Sequence, residues 1–277
     1  MTPLIINLAV TGAVPTRRDS PHVPLTPEEI AADCVQCCQI GASIVHLHAR
    51  GPDGAPTHRA DVYAEIVWLI RSAVPDVIIC VSTTGRHFTT LEQRSEALSL
   101  SADLTPDMGS LTVGSMNFPA QASINEPAMI KTLAMRMVER GIVPEIEVFD
   151  LGMVDYARYL IDRQILRPPF YFNVILGSLG TLQATPMNLA LMVQALPPGA
   201  TWGAAGIGRY QFPVNSLAIT MGGHVRVGLE DNLYLDEDRT RLATNHELVE
   251  RLVTLGRAAG RTIATPVQAR EMLGLRR

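Results

Sequence analysis

Eight apolar runs rich in β-branched residues recur along this 277-residue chain, with amphipathic segments between them. The runs cover residues 4–10, 43–48, 77–82, 104–111, 145–149, 170–176, 201–207 and 225–228. Helical patterns cover 27–39, 60–72, 91–98, 126–140, 154–163, 186–196, 215–220 and 245–259. Strands that are apolar throughout need cover on both faces, which is the condition of a parallel sheet. Eight strand–helix units in this length predict a (β/α)8 TIM barrel of the α/β class; a doubly wound sheet is the alternative, and the count of eight disfavours it. No linker or low-complexity stretch interrupts the pattern, so residues 1–277 are read as one domain with a C-terminal helical tail. Thr26-Pro27, Thr185-Pro186 and Thr265-Pro266 each place a capping hydroxyl before a helix-starting proline.

Composition narrows the partners. A net charge of −4 without long runs of one sign argues against a nucleic-acid or anionic-membrane surface. No apolar segment approaches the roughly 20 residues of a membrane span, and the N-terminal apolar run lacks a preceding positive charge. A cytoplasmic protein without nucleic-acid or membrane partners is expected. Cys34, Cys37 and Cys38 include a CxxC spacing, but no second CxxC or CxxH pair exists to complete a zinc site. With Cys80 they are read as buried, reduced thiols.

In such barrels, chemistry gathers at the C-terminal ends of the strands. His46 and His48 end the second run, Ser82 and Thr83 the third; Ser110 lies in the fourth, Glu145 and Glu147 in the fifth, Asn173 in the sixth. The eighth contributes His224, Arg226, Glu230 and Asp231. Residues two apart on a strand share a face, so both imidazoles of "VHLHAR" can face the interior and ligate one ion. A carboxylate completes a familiar catalytic zinc set, with Glu230, Asp231, Glu145 and Glu147 as the candidates. His58, His87 and His246 fall in loop or helix-start contexts and are read as solvated; His22 is unassigned. His224 starts its strand on the far side from the rim, which favours a structural role. A buried Glu145 or Glu147 needs a partner, and Arg226 is the available cation, unless it pairs with Asp231. The glycine-rich pieces "LGSLGT" and "AAGIGRY" offer backbone amides for a phosphate or thioester, but neither is a nucleotide fingerprint.

The segments "LAVTGA", "VHLHAR", "VSTTG", "GSLTVGSMNF", "PEIEVFDLGM", "TWGAAGIGR", "GGHVRVGLEDN" and "ATPVQAREMLGL" occur in order across essentially the whole chain. In this the sequence resembles the β-keto acid cleavage enzymes. The resemblance implies a zinc-dependent barrel, working as a homotetramer, that condenses a β-keto acid with acetyl-CoA and releases acetoacetate plus a new acyl-CoA. It implies His46, His48 and Glu230 as zinc ligands, Asp231 as the base in a dyad with Arg226, and Glu147, Ser82 and Ser110 as further active-site residues. Ser110 replaces a threonine, Glu145 falls to a supporting role, and Gly85 and Val14 are placed at the substrate. Val14 stands where a characterised member carries a glutamate for a substrate ammonium group, so an uncharged tail, such as an aliphatic one, is expected, although Arg17 nearby would favour an anionic one. Arg50 has no assignment. The competing readings are a zinc barrel aldolase or hydrolase that does not use CoA, and a non-catalytic metal-binding barrel.

Overall fold

The computed structural model describes residues 2–275. Eight parallel strands close into a barrel, each hydrogen-bonded to its sequence neighbours: β1 Ile6–Ala9, β2 Ile44–Leu47, β3 Ile78–Val81, β4 Met108–Thr112, β5 Val143–Val148, β6 Tyr171–Leu176, β7 Thr201–Gly206 and β8 His224–Val227, with β8 returning to β1. Around it lie α1 Pro27–Ile40, α2 Ala60–Ala73, α3 Leu91–Ser95, α4 Pro127–Glu139, α5 Leu151–Asp162, α6 Pro186–Ala195, α7 Gln211–Thr220 and α8 Asn245–Ala258. A further helix, α9 Pro266–Leu273, follows. The three Thr-Pro starts behave as read: the hydroxyls of Thr26, Thr185 and Thr265 accept from the N–H groups of Glu29, Asn188 and Gln268.

Several boundaries differ from the sequence expectation, each for a local reason. β4 starts at Met108 because Ala102–Leu104 forms a 3-10 turn and Pro106 follows it. α3 ends at Ser95 and tightens into a 3-10 turn over Glu96–Ser99. α7 starts earlier, at Gln211; its Pro213 falls in the first turn, where the missing N–H costs no intrahelical bond. Two short antiparallel ribbons, Ala49–Arg50 with Pro56–Thr57 and Met116–Asn117 with Ala122–Ser123, rise beyond β2 and β4. Among the described residues, no helix is long and apolar enough to cross a membrane.

Period-two alternation builds two cores. Side chains such as Leu8, Val45, Leu47, Ile79 and Val81 point outward and pack against the helices. The inward set at the bottom is Ile5, Ile44, Ile78, Cys80, Met108 and Tyr171, closed from below by Ala269 and Leu273 of α9. Arg270 fixes α9 there, donating to the carbonyls of Asp76 and Val77 and to Asp107 Oδ1 at 2.7 Å. Further up β1, β2, β5 and β6 the inward positions turn polar: Asn7, His46, Glu145 and Asn173 form a buried middle layer. The barrel interior is thus graded from apolar floor to charged mouth. Of the cysteines, Cys34, Cys37 and Cys80 are buried and all four are free, while Cys38 is only half-buried.

His224 sits at the floor end of β8 and its Nδ1 accepts the Ile5 N–H at 3.1 Å. Burial, aided by the nearby Arg261 charge, lowers its pKa to about 4. The unfolded chain therefore binds more protons than the folded one between pH 6.5 and 4, and stability falls as pH falls through that window. The loss reaches about 3 kcal/mol by pH 4. Urea titrations at pH 7 and pH 5 check this: His224→Gln should flatten part of the wild-type pH dependence, and an unchanged slope would contradict it.

Candidate active site

The mouth is assembled from strand ends and the loops that leave them. "HLH" runs off the end of β2, so that His46 and His48 point inward one above the other with their Nε2 atoms 3.3 Å apart. Below them, the Glu145 carboxylate accepts from His46 Nδ1 at 2.7 Å and from Asn7 Nδ2 at 2.5 Å. Asn173 Nδ2 and Cys80 Sγ donate to the same carboxylate at 3.3 Å each. Burial works against both charges of the His46–Glu145 pair, but their attraction prevails: Glu145 is held down to about 2 and His46 is raised. The bond at Nδ1 leaves His46 Nε2 as the atom facing upward.

Glu230 arrives from the β8 loop. Gly228 makes that possible: at φ +150° it lies so close to Ala9 that a Cβ would be 2.0 Å from the Ala9 carbonyl oxygen. The chain then turns back, with the Glu230 N–H bonding that carbonyl at 3.2 Å. Gly12, at φ +70°, clears the side chain's path, since a Cβ there would lie 2.6 Å from Glu230 Cγ. Glu230 Oε1 is 3.3 Å from His48 Nε2, and Oε2 is 3.9 Å from His46 Nε2. Asn245, which opens α8, anchors the loop: its Oδ1 accepts from Leu229 N and its Nδ2 donates to Val10 O and Asp33 Oδ2.

Arg226 on β8 is the buried cation of the site. Its Nε donates to Asp231 Oδ2 at 2.9 Å and its Nη1 to Glu147 Oε1 at 3.1 Å. Its Nη2 donates to Glu230 Oε1 at 2.8 Å and Asp231 Oδ1 at 3.2 Å. Burial disfavours this charge, but the Asp231, Glu230 and Glu147 carboxylates outweigh it and raise the guanidinium pKa well above its ordinary value. Burial in turn raises the pKa of Asp231 and of Glu147, against the pull of Arg226. Glu147 also accepts from Thr112 Oγ1 at 2.6 Å, a contact for which the sequence held no signal.

These groups line one cleft of about 750 Å³, together with Ser82, Ser110 and Val14. Much of its wall is apolar, from Met116, Phe118, Phe149, Ile175, Leu179 and Ile207, with Arg86 and Gln121 among the polar residues. Ser110 Oγ accepts the Thr83 N–H at 3.1 Å, and Ser82 Oγ the Thr84 N–H at 3.2 Å. Three expectations need correction. Gly85 does not line the cleft; it is buried against the Ile124 carbonyl and the Arg94 guanidinium. Arg17 points away from it and pairs with Glu29 at the surface. His58 is not free in solvent: half-buried, it bonds Glu96 Oε2 at 2.6 Å. His87 is exposed as read. Arg50 is now placed: buried, it donates to Pro15 O and Gly54 O, clamping the loop that carries Val14 to the ribbon beyond β2.

Among the described residues, two trios of potential metal donors lie in the barrel interior, and they differ in fit. In His46–Cys80–Glu145 every donor is already engaged by a hydrogen bond, and burial pushes the Cys80 thiol well up, keeping it protonated. In His46–His48–Glu230, two imidazole nitrogens face one another and Glu230 Oε2 is buried without a hydrogen-bond partner. Donors about 2.1 Å from a tetrahedral ion stand about 3.4 Å apart. The two Nε2 atoms, 3.3 Å apart, match that spacing, and a Glu230 oxygen lies 3.3 Å from His48 Nε2 (Oε1) and 3.9 Å from His46 Nε2 (Oε2).

Fold and site together define a (β/α)8 barrel with a His–His–carboxylate constellation under an apolar cleft. The family model for the beta-keto acid cleavage enzyme matches residues 3–275, and the chain belongs to that family. It is 42% identical to a 3-keto-5-aminohexanoate cleavage enzyme of Fusobacterium nucleatum, over the whole of both chains. It is 38% identical to a 3-oxoadipate:acetyl-CoA acetyltransferase of Cupriavidus necator, over 99% of this chain and 95% of that one. Among solved structures, apo ObcA superposes with a TM-score of 0.84 at 23% identity; the match covers 92% of this chain and 66% of ObcA, a likeness of fold.

Proposed function

We propose that this protein transfers the acyl part of a β-keto acid to CoA, with acetyl-CoA as co-substrate and a zinc ion at His46, His48 and Glu230. The reading rests on family membership and on one observation: a carboxylate held by a buried guanidinium sits directly beside a three-donor metal constellation. When bound, the zinc supplies Lewis-acid polarisation of the substrate oxygens. Asp231 is the base that removes a proton from C2 of R–CO–CH2–COO⁻; its raised pKa suits it to accept one. Arg226 grips both Asp231 oxygens, fixing their direction, and Glu147 holds the other edge of the guanidinium. The C2 carbanion attacks the acetyl-CoA carbonyl and displaces the CoA thiolate. The thiolate adds to the former ketone carbon, the C2–C3 bond breaks, and the proton returns from Asp231. Acetoacetate and R–CO–S–CoA leave, so atoms and charge balance. Ser82 and Ser110 place hydroxyls on the cleft wall for the carboxylate end.

Val14 lines the cleft with a half-exposed apolar side chain. A tail bearing an ammonium group has no carboxylate to meet there, so the tail is uncharged where it passes Val14. The chain acts as one barrel domain closed by α9, in the cytoplasm, where free thiols stay reduced. It assembles as a homotetramer, for which exposed Trp68, Met135 and Met187 supply apolar surface.

Incubation with acetyl-CoA and a panel of β-keto acids, followed by mass analysis, tests the reading. A new acyl-CoA and acetoacetate are expected in equal amounts, with no cleavage when acetyl-CoA is withheld. Cleavage without CoA would instead make the protein a metal-dependent aldolase or hydrolase.

A further inference from the structure

We propose that Arg86 forms an anion-binding subsite that selects β-keto acids whose tail ends in a carboxylate. Arg86 lies in the loop that follows β3, four residues beyond Ser82, and its side chain lines the same cleft as the donor trio. Its guanidinium rests on the Phe118 ring, 3.6 Å from the centroid, which holds it flat against the wall. From the other side the loop is tied down: Gln121 Nε2 donates to the Arg86 carbonyl at 3.3 Å.

Among the described residues this guanidinium has neither a hydrogen bond nor an ion pair. The other arginines lining or bracing the mouth all do: Arg226 holds three carboxylates, Arg94 donates to Thr83 O and Asn125 Oδ1, and Arg50 donates to two carbonyls. A fixed, partly buried cation with all its donors idle is set up for an anion that arrives with the ligand. Burial lowers its pKa, while Glu230, Glu147 and Asp231 act on it through their charges, which places it in electrostatic range of the reacting end. On that nearness the anion is assigned to the substrate's own far carboxylate, and the KM for acetyl-CoA distinguishes it from a phosphate of CoA. The tail then runs apolar past Val14 and ends in a charge at Arg86. This inference rests on the β-keto acid reading and extends it to a substrate class.

The test is a matched six-carbon pair, 3-oxohexanoate and 3-oxohexanedioate, compared in kcat/KM with acetyl-CoA saturating. The wild type should prefer the diacid by about 10–100-fold, the worth of one or two charged hydrogen bonds. Arg86→Gln should bring the ratio close to one, and Arg86→Lys should restore part of it. The KM for acetyl-CoA should move less than about twofold, within what a group not touching CoA produces. A wild-type preference for the neutral tail, an unchanged ratio in Arg86→Gln, or a rise confined to the KM for acetyl-CoA would overturn the subsite. Absence of acyl-CoA from both acids would instead sink the β-keto acid reading itself.

Discussion

Asp231→Asn should lower kcat by about 10³-fold while leaving the metal bound, the scale expected for loss of a positioned base. The substitution keeps shape and one acceptor oxygen for Arg226, whose Nε and Nη2 now meet both Asp231 oxygens. It removes the lone pair that would take the C2 proton. Asp231 is not part of the donor trio, so zinc content by atomic emission should stay near one per chain. His48→Ala is the contrasting variant. It deletes one of three donors, the nitrogen 3.3 Å from Glu230 Oε1, and should lose both metal and turnover. Full metal loss in Asp231→Asn, or retained turnover, would show that the ion and the base have been assigned to the wrong residues.

Arg226→Met should cost about 3–5 kcal/mol in unfolding free energy at pH 8, the scale for removing one partner of a buried ionic cluster. Methionine fills much of the volume, so the cost is electrostatic: Glu147, Glu230 and Asp231 would be left facing one another without their shared cation. Their folded pKa values would then rise above the unfolded ones. The folded variant would bind more protons, and its deficit would grow as pH rises and shrink as pH falls. Chelator-treated wild type and variant, unfolded in urea at pH 5 and pH 8, give the comparison. A deficit equal at both pH values would mean that the loss is one of packing alone.

How much of this was legible in the chain depends on whether a residue's position follows from strand period. His46 and His48 followed directly, since two residues on a strand share a face. Glu145 and Glu147 also share one, but a step of about 6.6 Å along β5 separates the middle layer from the mouth. Only the neighbouring strands say which layer each joins. By spacing alone the third candidate donor is open among four carboxylates, because Glu230 lies beyond Val227, the end of β8, on a turn whose path Gly228 and Gly12 decide. Expectation and structure part mainly in the loops. The resemblance places Gly85 at the substrate, and Arg17 follows Val14 there by sequence nearness alone, whereas Arg86 and Asn245 carry no pattern that marks an inward direction. Thr112 carries no such pattern either: its role depends on pairing with β5.

The Glu145 carboxylate beneath the donor trio has a consequence for how the molecule can be watched. It takes hydrogen bonds from Asn7, His46, Cys80 and Asn173, which belong to β1, β2, β3 and β6, while standing on β5. Five of the eight staves thus meet at one carboxylate, and that carboxylate sets which nitrogen of His46 looks upward. An ion gripped by His46 is therefore a gauge of hoop closure. Parting any of those staves would misdirect the imidazole before the outer helices let go. Metal release followed in a stopped-flow unfolding experiment should accordingly run ahead of the loss of helical signal.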